Sequence, residues 1–243
     1  MLIKVINANT TWSMTAIIGE AAQAAAGPGV TIDAVSPAFG PVSIESHAEE
    51  AISAVGVIAE VAAGEAAGVD AYVIACFGDP GLSAARELAR GPVIGIAEAA
   101  MRTAGYLGRG FSVVTTLSRS VGHTWDLAEA YGAGRACRGV HATGIPVVEL
   151  ETDPEAYAKV LAQSRAALAS DGSDVIVLGC AGMADLCARL SADLGVPVID
   201  GVGAATATAR ALVELGLRTS KRDEFAPPLK ALPELPGGAP VAT

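Results

Sequence analysis

Two cysteines at matching places in the chain are the residues best suited to chemistry. Cys76 and Cys180 each follow an apolar run, at residues 71–75 and 175–178, and each stands two residues before a glycine. A helix that begins after each cysteine is expected to favour the thiolate and to lower a pKa that is ordinarily about 8.5. Two thiols on opposite faces of a bound carbon would let one remove a proton while the other returns one. The pair therefore predicts racemisation by two bases.

Both cysteines belong to an internal repeat. Residues 68–78 match residues 172–182 at a constant offset of 104, and residues 91–95 match 195–200 with one residue of slippage. Each copy predicts a strand, a Cys-x-Gly turn, a helix and a second strand. Such a duplication implies two α/β lobes related by a pseudo-twofold axis, with the two cysteines facing each other across one cleft.

Short apolar runs alternate along the chain with Ala-rich stretches long enough for helices. Strands are predicted at residues 2–6, 30–35, 71–75, 93–96, 111–114, 145–150, 175–178 and 196–199. Asp79 with Pro80, and Asp153 with Pro154, predict helix starts, with Asp79 capping the helix that follows it. Continuously apolar strands that alternate with helices indicate parallel sheets. The predicted fold class is α/β, with two pseudo-symmetric Rossmann-like lobes and the active site in the cleft between them.

The repeat also suggests how the chain divides. A duplicated domain is predicted at residues 1–221, with the repeats near 68–96 and 172–200. The remaining residues, 222–243, hold five of the chain's 13 prolines: Pro227, Pro228, Pro233, Pro236 and Pro240. We expect an extended arm or frayed tail there.

Composition excludes several classes of partner. The 243 residues carry a formal net charge of −10, which leaves no basic field for nucleic acid or for an anionic membrane surface. No apolar stretch approaches the roughly 20 residues of a membrane span, and the first residues lack a basic and apolar leader. We expect a cytoplasmic protein with reduced thiols, and a homo-oligomer because 51% of its residues are hydrophobic.

Other possible sites are weaker. The four cysteines lack zinc spacing, the three histidines are scattered, and Cys137 and Cys187 are expected to be structural, so no metal site is predicted. Residues 201–206 resemble a dinucleotide fingerprint, but Thr206 replaces its third glycine and no clear ribose-binding acid follows. No cofactor is expected.

Several further segments carry a family resemblance. Residues 5–10, 43–45, 74–82, 113–117, 177–183 and 196–201 resemble the hydantoin and allantoin racemases of the aspartate/glutamate racemase superfamily, and the likeness extends to about Lys221. The resemblance implies two α/β lobes, a cofactor-independent site and catalytic roles for Cys76 and Cys180. Asn7-Ala8-Asn9 departs from the family's Asn-Pro-Asn, which relaxes a turn but keeps both amides.

The resemblance also implies the substrate class, a small-molecule ureide with a five-membered ring whose C5–H is acidic, and a place in purine degradation. Allantoin is favoured over 5-substituted hydantoins because residues 77–80 and 95–100 look closer to allantoin racemases. Removal of the C5 proton forms an enolate, so backbone N–H groups near the cysteines are expected to stabilise an oxyanion. The predicted substrate-binding residues are Asn9, Ser43, Phe77, Gly78, Thr115, Thr116, Ala181 and Gly182.

Two alternatives stay open. The same scaffold could use a cysteine in a cis/trans isomerisation or a decarboxylation. A decarboxylase would need only one of the two cysteines, and an isomerase of dicarboxylates would need cations, which the sequence around both cysteine turns lacks. The other alternative is a non-catalytic ligand-binding homologue, since a fold alone does not establish a function.

Overall fold

The computed structural model describes residues 1–230, 232, 233 and 235 of the chain. Its strands are β1 (Leu2–Ile6), β2 (Thr31–Val35), β3 (Ala71–Ile74), β4 (Val93–Gly95), β5 (Phe111–Thr115), β6 (Cys137–Ala142), β7 (Val175–Leu178) and β8 (Val198–Ile199). The α-helices are α1 (Trp12–Ala26), α2 (His47–Ala67), α3 (Leu82–Leu88), α4 (Ile96–Leu107), α5 (Val121–Ala130), α6 (Ala156–Ser170), α7 (Cys187–Leu194) and α8 (Gly201–Glu214). Part of the predicted tail at 222–243, including Pro236 and Pro240, lies outside the described residues.

Each half of the chain builds one sheet of four parallel strands. The strand orders are β2-β1-β3-β4 and β6-β5-β7-β8, so the two sheets have the same topology. This confirms the predicted α/β class with parallel sheets. In such an order the chain changes direction across the sheet between the two central strands, β1 and β3 in the first sheet and β5 and β7 in the second. Ligands bind beyond the carboxyl ends of these central strands. Topology thus directs a ligand to the residues after β1, β3, β5 and β7.

The two lobes share one core. The helix after each sheet crosses to the other: α4 follows β4 and packs against β5 and β7, while α8 follows β8 and packs against β1 and β3. Fully buried side chains from both sheets and both crossing helices form one cluster, including Val73, Met101, Val177 and Ala205. The exchange of helices holds the carboxyl ends of the two sheets in a fixed relation.

One predicted strand is wrong. Residues 145–150 contain a short 3-10 helix, Val147–Glu149, in place of a strand, and Pro146 lacks the N–H that a strand ladder requires. The second sheet is completed by β6, a strand that the apolar pattern of the sequence does not predict. It is an edge strand that pairs with β5, and it contains Arg138 and His141, so it lacks the continuous apolar run of a central strand.

The predicted capping role of Asp79 is also corrected. The next helix, α3, begins at Leu82 after Gly81, and the Asp79 carboxylate instead accepts hydrogen bonds from the N–H groups of Ala97 and Glu98 at the start of α4, at 3.1 and 3.0 Å. The Asp79 backbone has a left-handed φ of 47°, and the chain turns so that its side chain reaches the neighbouring β4–α4 junction. Asp79 therefore caps α4 and not α3, the helix that directly follows it.

The N–H groups at the glycine-rich start of α8 already have a hydrogen-bond partner in the N-cap residue, Asp200. The Asp200 carboxylate accepts hydrogen bonds from the N–H groups of Val202 and Gly203, at 3.0 and 2.7 Å. These are the donors that a bound phosphate would need at a helix N-terminus. The capping carboxylate explains why the partial dinucleotide fingerprint is compatible with an ordinary helix start.

The last described residues before the tail are held against the first lobe. The Thr219 hydroxyl donates to the carbonyl of Gly91 at 2.6 Å, and the Lys221 ammonium donates to the carbonyl of Glu87 at 2.9 Å. Among the described residues, no helix is both long and apolar enough to cross a membrane.

Candidate active site

A cavity of about 190 Å³ lies where the carboxyl ends of the two sheets meet. Cys76 and Cys180 both line it, each two residues beyond the end of its strand, β3 and β7. Cys180 is also one of the groups that raise the pKa of Cys76. The duplicated strands therefore bring the two thiols to one space, as the repeat predicts.

Most of the other predicted binding residues reach this cavity. From the first lobe the lining includes Asn9, Phe77 and Gly78. From the second lobe it includes Thr115, Thr116 and Ala181. Two predicted residues do not line it: Ser43, whose neighbours Ile44, Glu45 and Ser46 form that part of the wall, and Gly182, two residues after Cys180. The Gly182 N–H still acts on the thiol, because it favours the Cys180 thiolate.

Both thiols are harder to ionise than the sequence predicts. Burial raises the pKa of Cys76 to about 12 and that of Cys180 to about 11. The N–H groups of Gly78 and Gly182 act in the opposite direction but are outweighed. The predicted lowering of the two thiol pKa values is wrong. It assumed an α-helix directly after each cysteine, but Cys180 is followed by a 3-10 helix, Ala181–Leu186, and α3 begins six residues after Cys76.

Nearby negative charges add to this effect. Glu50 and Asp79 both raise the pKa of Cys76, and Glu45 raises that of Cys180. The Asp79 carboxyl is itself buried, and burial raises its pKa to about 6. It also accepts a hydrogen bond from the hydroxyl of Tyr131, at the end of α5, at 2.7 Å. Asp79 thus links the turn after Cys76 to the second lobe.

Asn9 presents a free donor to the cavity. Its side-chain oxygen is used within the turn after β1, where it accepts from the N–H of Thr11 and the amide of Asn7, both at 2.9 Å. Among the residues that the structure describes, its amide nitrogen donates only to the sulfur of Met14, at 3.3 Å. A thioether is a weak acceptor. A ligand carbonyl can therefore replace it with little loss.

The two threonines at the end of β5 differ in their partners. The Thr115 hydroxyl donates to the carbonyl of Gly179 at 3.3 Å, which ties the end of β5 to the segment that carries Cys180. Within the described residues the Thr116 hydroxyl makes no hydrogen bond, and Thr116 lines the cavity. Thr115 is therefore placed to position the second thiol, and Thr116 to bind a ligand.

The sequence does not predict the charged part of the wall. Glu45, His47 and Glu50 approach from the start of α2, and Arg119 and His123 approach from the 3-10 helix before α5 and from α5 itself. Arg119 gives this wall a cation, although the sequence around both cysteine turns has none. Two of the three histidines, which are far apart in the sequence, also meet here. His47 and His123 come from different lobes, and their rings pack edge to face with centroids 5.6 Å apart.

One local signal could have located half of this wall. Ser46 and Glu49 form a capping box: the Ser46 side chain accepts from the N–H of Glu49 at 3.3 Å and donates to its carboxylate at 2.8 Å. That motif fixes the start of α2 and puts His47 and Glu50 on its first turn. No local signal shows that α5 faces this turn. The Glu45 carboxylate also crosses between the lobes, accepting from the N–H of Val147 at 2.8 Å.

Comparisons with known proteins identify what this arrangement resembles. The chain matches the Asp/Glu/Hydantoin racemase family over residues 3–209. A hydantoin racemase from Rhizobium meliloti is 52% identical over 229 residues, which are 94% of this chain and 95% of that protein. The structure of an allantoin racemase from Klebsiella pneumoniae has a TM-score of 0.94 and is 51% identical, covering 96% of each chain. The allantoin racemase from Pseudomonas fluorescens has a TM-score of 0.90 at 40% identity, covering 96% of this chain and 100% of that one.

Proposed function

The chain belongs to the Asp/Glu/hydantoin racemase family and is a racemase, and from that premise we propose that it inverts C5 of a hydantoin-type ring by proton transfer between Cys76 and Cys180. The observation that carries the proposal is the position of the two thiols. They stand at equivalent strand ends of two duplicated sheets and line the same cavity. A ring bound between them presents one face to each sulfur.

The chemistry requires one thiolate and one thiol. The thiolate removes the C5 proton, and the electron pair moves into the adjacent carbonyl to form an enolate. The opposite thiol then gives its proton to the other face of C5, and the enolate returns to the carbonyl. The enzyme ends with the protonation of its two cysteines exchanged, which prepares it for the opposite enantiomer. No cofactor takes part in this scheme.

Backbone N–H groups next to the cysteines suit the developing oxyanion. The turns at Phe77-Gly78 and Ala181-Gly182 follow the two sulfurs, and Gly78, which lines the cavity, permits a close approach of backbone to ligand. The Asn9 amide and the Thr116 hydroxyl add two side-chain groups that can hold ring carbonyl and N–H groups. These six residues with the two cysteines are the proposed site.

Cavity size and charge support allantoin over bulky 5-substituted hydantoins. Ligand cavities commonly have about 300–1,000 Å³, so a cavity of about 190 Å³ suits a small ring with a compact substituent. The wall carries Glu45, Glu50, Arg119 and His123. A ureido substituent has donors and a carbonyl that match such a wall. A benzyl substituent is larger and would offer these polar groups no hydrogen bonds.

We expect single-enantiomer allantoin to lose its optical rotation faster than single-enantiomer 5-benzylhydantoin. Each pure enantiomer is incubated with the purified enzyme and rotation is followed by polarimetry, with the uncatalysed rate subtracted. Both enantiomers of allantoin should converge on zero rotation, and kcat/KM for allantoin should exceed that for the benzyl compound by about tenfold or more, the effect of one or two unpaired polar contacts.

The same assay separates the alternatives. A higher kcat/KM for 5-benzylhydantoin would overturn the preference for allantoin but keep the racemase. Arg119 gives the cavity a cation that a dicarboxylate would need, so maleate and an arylmalonate are included as substrates. Turnover of either, with no change in the rotation of any hydantoin, would favour an isomerase or a decarboxylase.

The organisation of the protein outside the site is part of the proposal. We place the duplicated domain at residues 1–221, which the contacts of Thr219 and Lys221 with the first lobe support. Homo-oligomer formation is supported by large apolar side chains at the surface, such as Tyr106, which is 87% exposed, and Trp12, which is 65% exposed. The protein is proposed to act in the cytoplasm on a small ureide.

A further inference from the structure

Three side chains from the two lobes converge at one side of the cavity. His47 and Glu50 lie on the first turn of α2, and His123 lies on α5. His47 Nδ1 is 3.8 Å from Glu50 Oε2, and His123 Nε2 is 3.2 Å from Glu50 Oε1. One ligand atom from each residue lies within 4.8 Å of the other two. This group is distinct from the two thiols, and the proton transfer at C5 does not use it.

We propose that His47, Glu50 and His123 form a site for a divalent cation of the Zn²⁺ class. Two imidazoles and one carboxylate are a ligand set that zinc uses with an open fourth position. Ligands at about 2.0–2.1 Å around a tetrahedral zinc lie about 3.3 Å from one another. The two imidazoles lie 3.8 Å from Oε2 and 3.2 Å from Oε1 of Glu50, so each carboxylate oxygen is close to that separation from one imidazole.

The surroundings of His123 Nε2 add to this argument, because the acidic group that faces this nitrogen, Glu50, would share the cation with it. The Nε2 atom is closed to solvent and, within the described residues, has no hydrogen-bond partner of good geometry. A buried nitrogen without such a partner is uncommon and costs free energy. A cation held jointly with Glu50 would use this nitrogen's lone pair. His47 is 82% exposed and can adjust its ring to complete the set with little resistance.

The position of the cation would affect the enzyme. All three residues line the cavity, so the open fourth position would face the space that the substrate occupies. The cation would also join α2 of the first lobe to α5 of the second. Both effects oppose entry and release of a ring, so we expect the bound cation to inhibit racemisation reversibly.

Binding is tested with Zn²⁺ itself. Metal-free full-length protein is titrated by isothermal calorimetry, together with the variants His47→Gln and His123→Gln. The matched control is His141→Gln, because His141 lies on β6 and is paired with Asp171 outside the cavity. We expect one ion per chain in the wild type and in the control, and a Kd at least tenfold weaker in each of the other two variants.

Thiols also bind zinc, so a Cys76→Ser/Cys180→Ser protein is titrated in the same way. It should bind Zn²⁺ as the wild type does. Unchanged binding in His47→Gln, or loss of binding in the double cysteine variant, would overturn the proposed site. Because the His47 side chain is exposed, lost binding in that variant does not reflect misfolding. No substrate is used, so the result is separate from the outcome for the racemase proposal.

Discussion

Replacing either Cys76 or Cys180 by serine is expected to lower the rate of racemisation of both allantoin enantiomers by about 10²–10⁴-fold, the usual contribution of a positioned acid or base. A serine hydroxyl fits the same space but neither ionises nor gives up its proton in the range where a thiol does. Each thiol is the base for one enantiomer and the acid for the other. Loss of either one therefore slows inversion in both directions. Rates are measured by polarimetry from each pure enantiomer.

Cys187→Ser is the matched control. Cys187 begins α7 and its thiol donates to the carbonyl of Val198 at 3.2 Å, a bond that a serine hydroxyl can also make. It does not line the cavity. This variant should keep the wild-type rate. A wild-type rate in Cys76→Ser or in Cys180→Ser, with circular dichroism showing a folded protein, would rule out the two-thiol mechanism.

The second large effect is in the pH dependence. Burial raises the pKa of Cys76 to about 12 and that of Cys180 to about 11, so at pH 7 both cysteines of the free enzyme are protonated. The reactive form has one thiolate and one thiol, and its population rises about tenfold per pH unit until the first thiol of the coupled pair ionises. Because kcat/KM reports the free enzyme, it should rise by about a hundredfold between pH 7 and pH 9.

The assay subtracts the uncatalysed racemisation at each pH, because hydroxide also removes the C5 proton. Stability has the opposite trend. The folded thiol pKa values lie above the unfolded value of about 8.5, so the unfolded state loses protons first and the free energy of unfolding falls as pH rises past that value. Measurements therefore stop at pH 9. A flat profile from pH 7 to pH 9 would mean that one thiolate exists already at neutral pH.

The parts of the fold that the sequence predicts are those with local, continuous signals. Central parallel strands such as β3 and β7 are buried on both faces, so they appear as unbroken apolar runs. The repeat in the sequence is then enough to predict that Cys76 and Cys180 lie near each other. β6 is missed because an edge strand has no such run. The crossing of α4 and α8 between the sheets depends on contacts between distant residues, and no local pattern encodes it.

The site divides in the same way. Residues that directly follow central strands, such as Asn9 and Thr116, are predicted because topology directs strand ends to the ligand. Arg119 and His123 are missed because they approach from the first part of the α5 region across the cleft, with no motif of their own. The direction of the thiol pKa is also missed. It depends on burial and on nearby carboxylates such as Glu45 and Glu50, which only the folded chain reveals.

The central claim is that two different groups act on opposite faces of C5, and the most direct measurement follows deuterium during the first few per cent of turnover in deuterium oxide. Single-enantiomer allantoin is incubated with the wild-type enzyme, the two enantiomers are separated by chiral chromatography, and C5–H is quantified in each by proton NMR. Two thiols predict deuterium at C5 of the newly formed enantiomer and almost none in the remaining substrate, because the proton taken on one face is not the one returned on the other. Deuterium appearing equally fast in the remaining substrate would show that one group serves both faces, and would contradict the two-thiol mechanism.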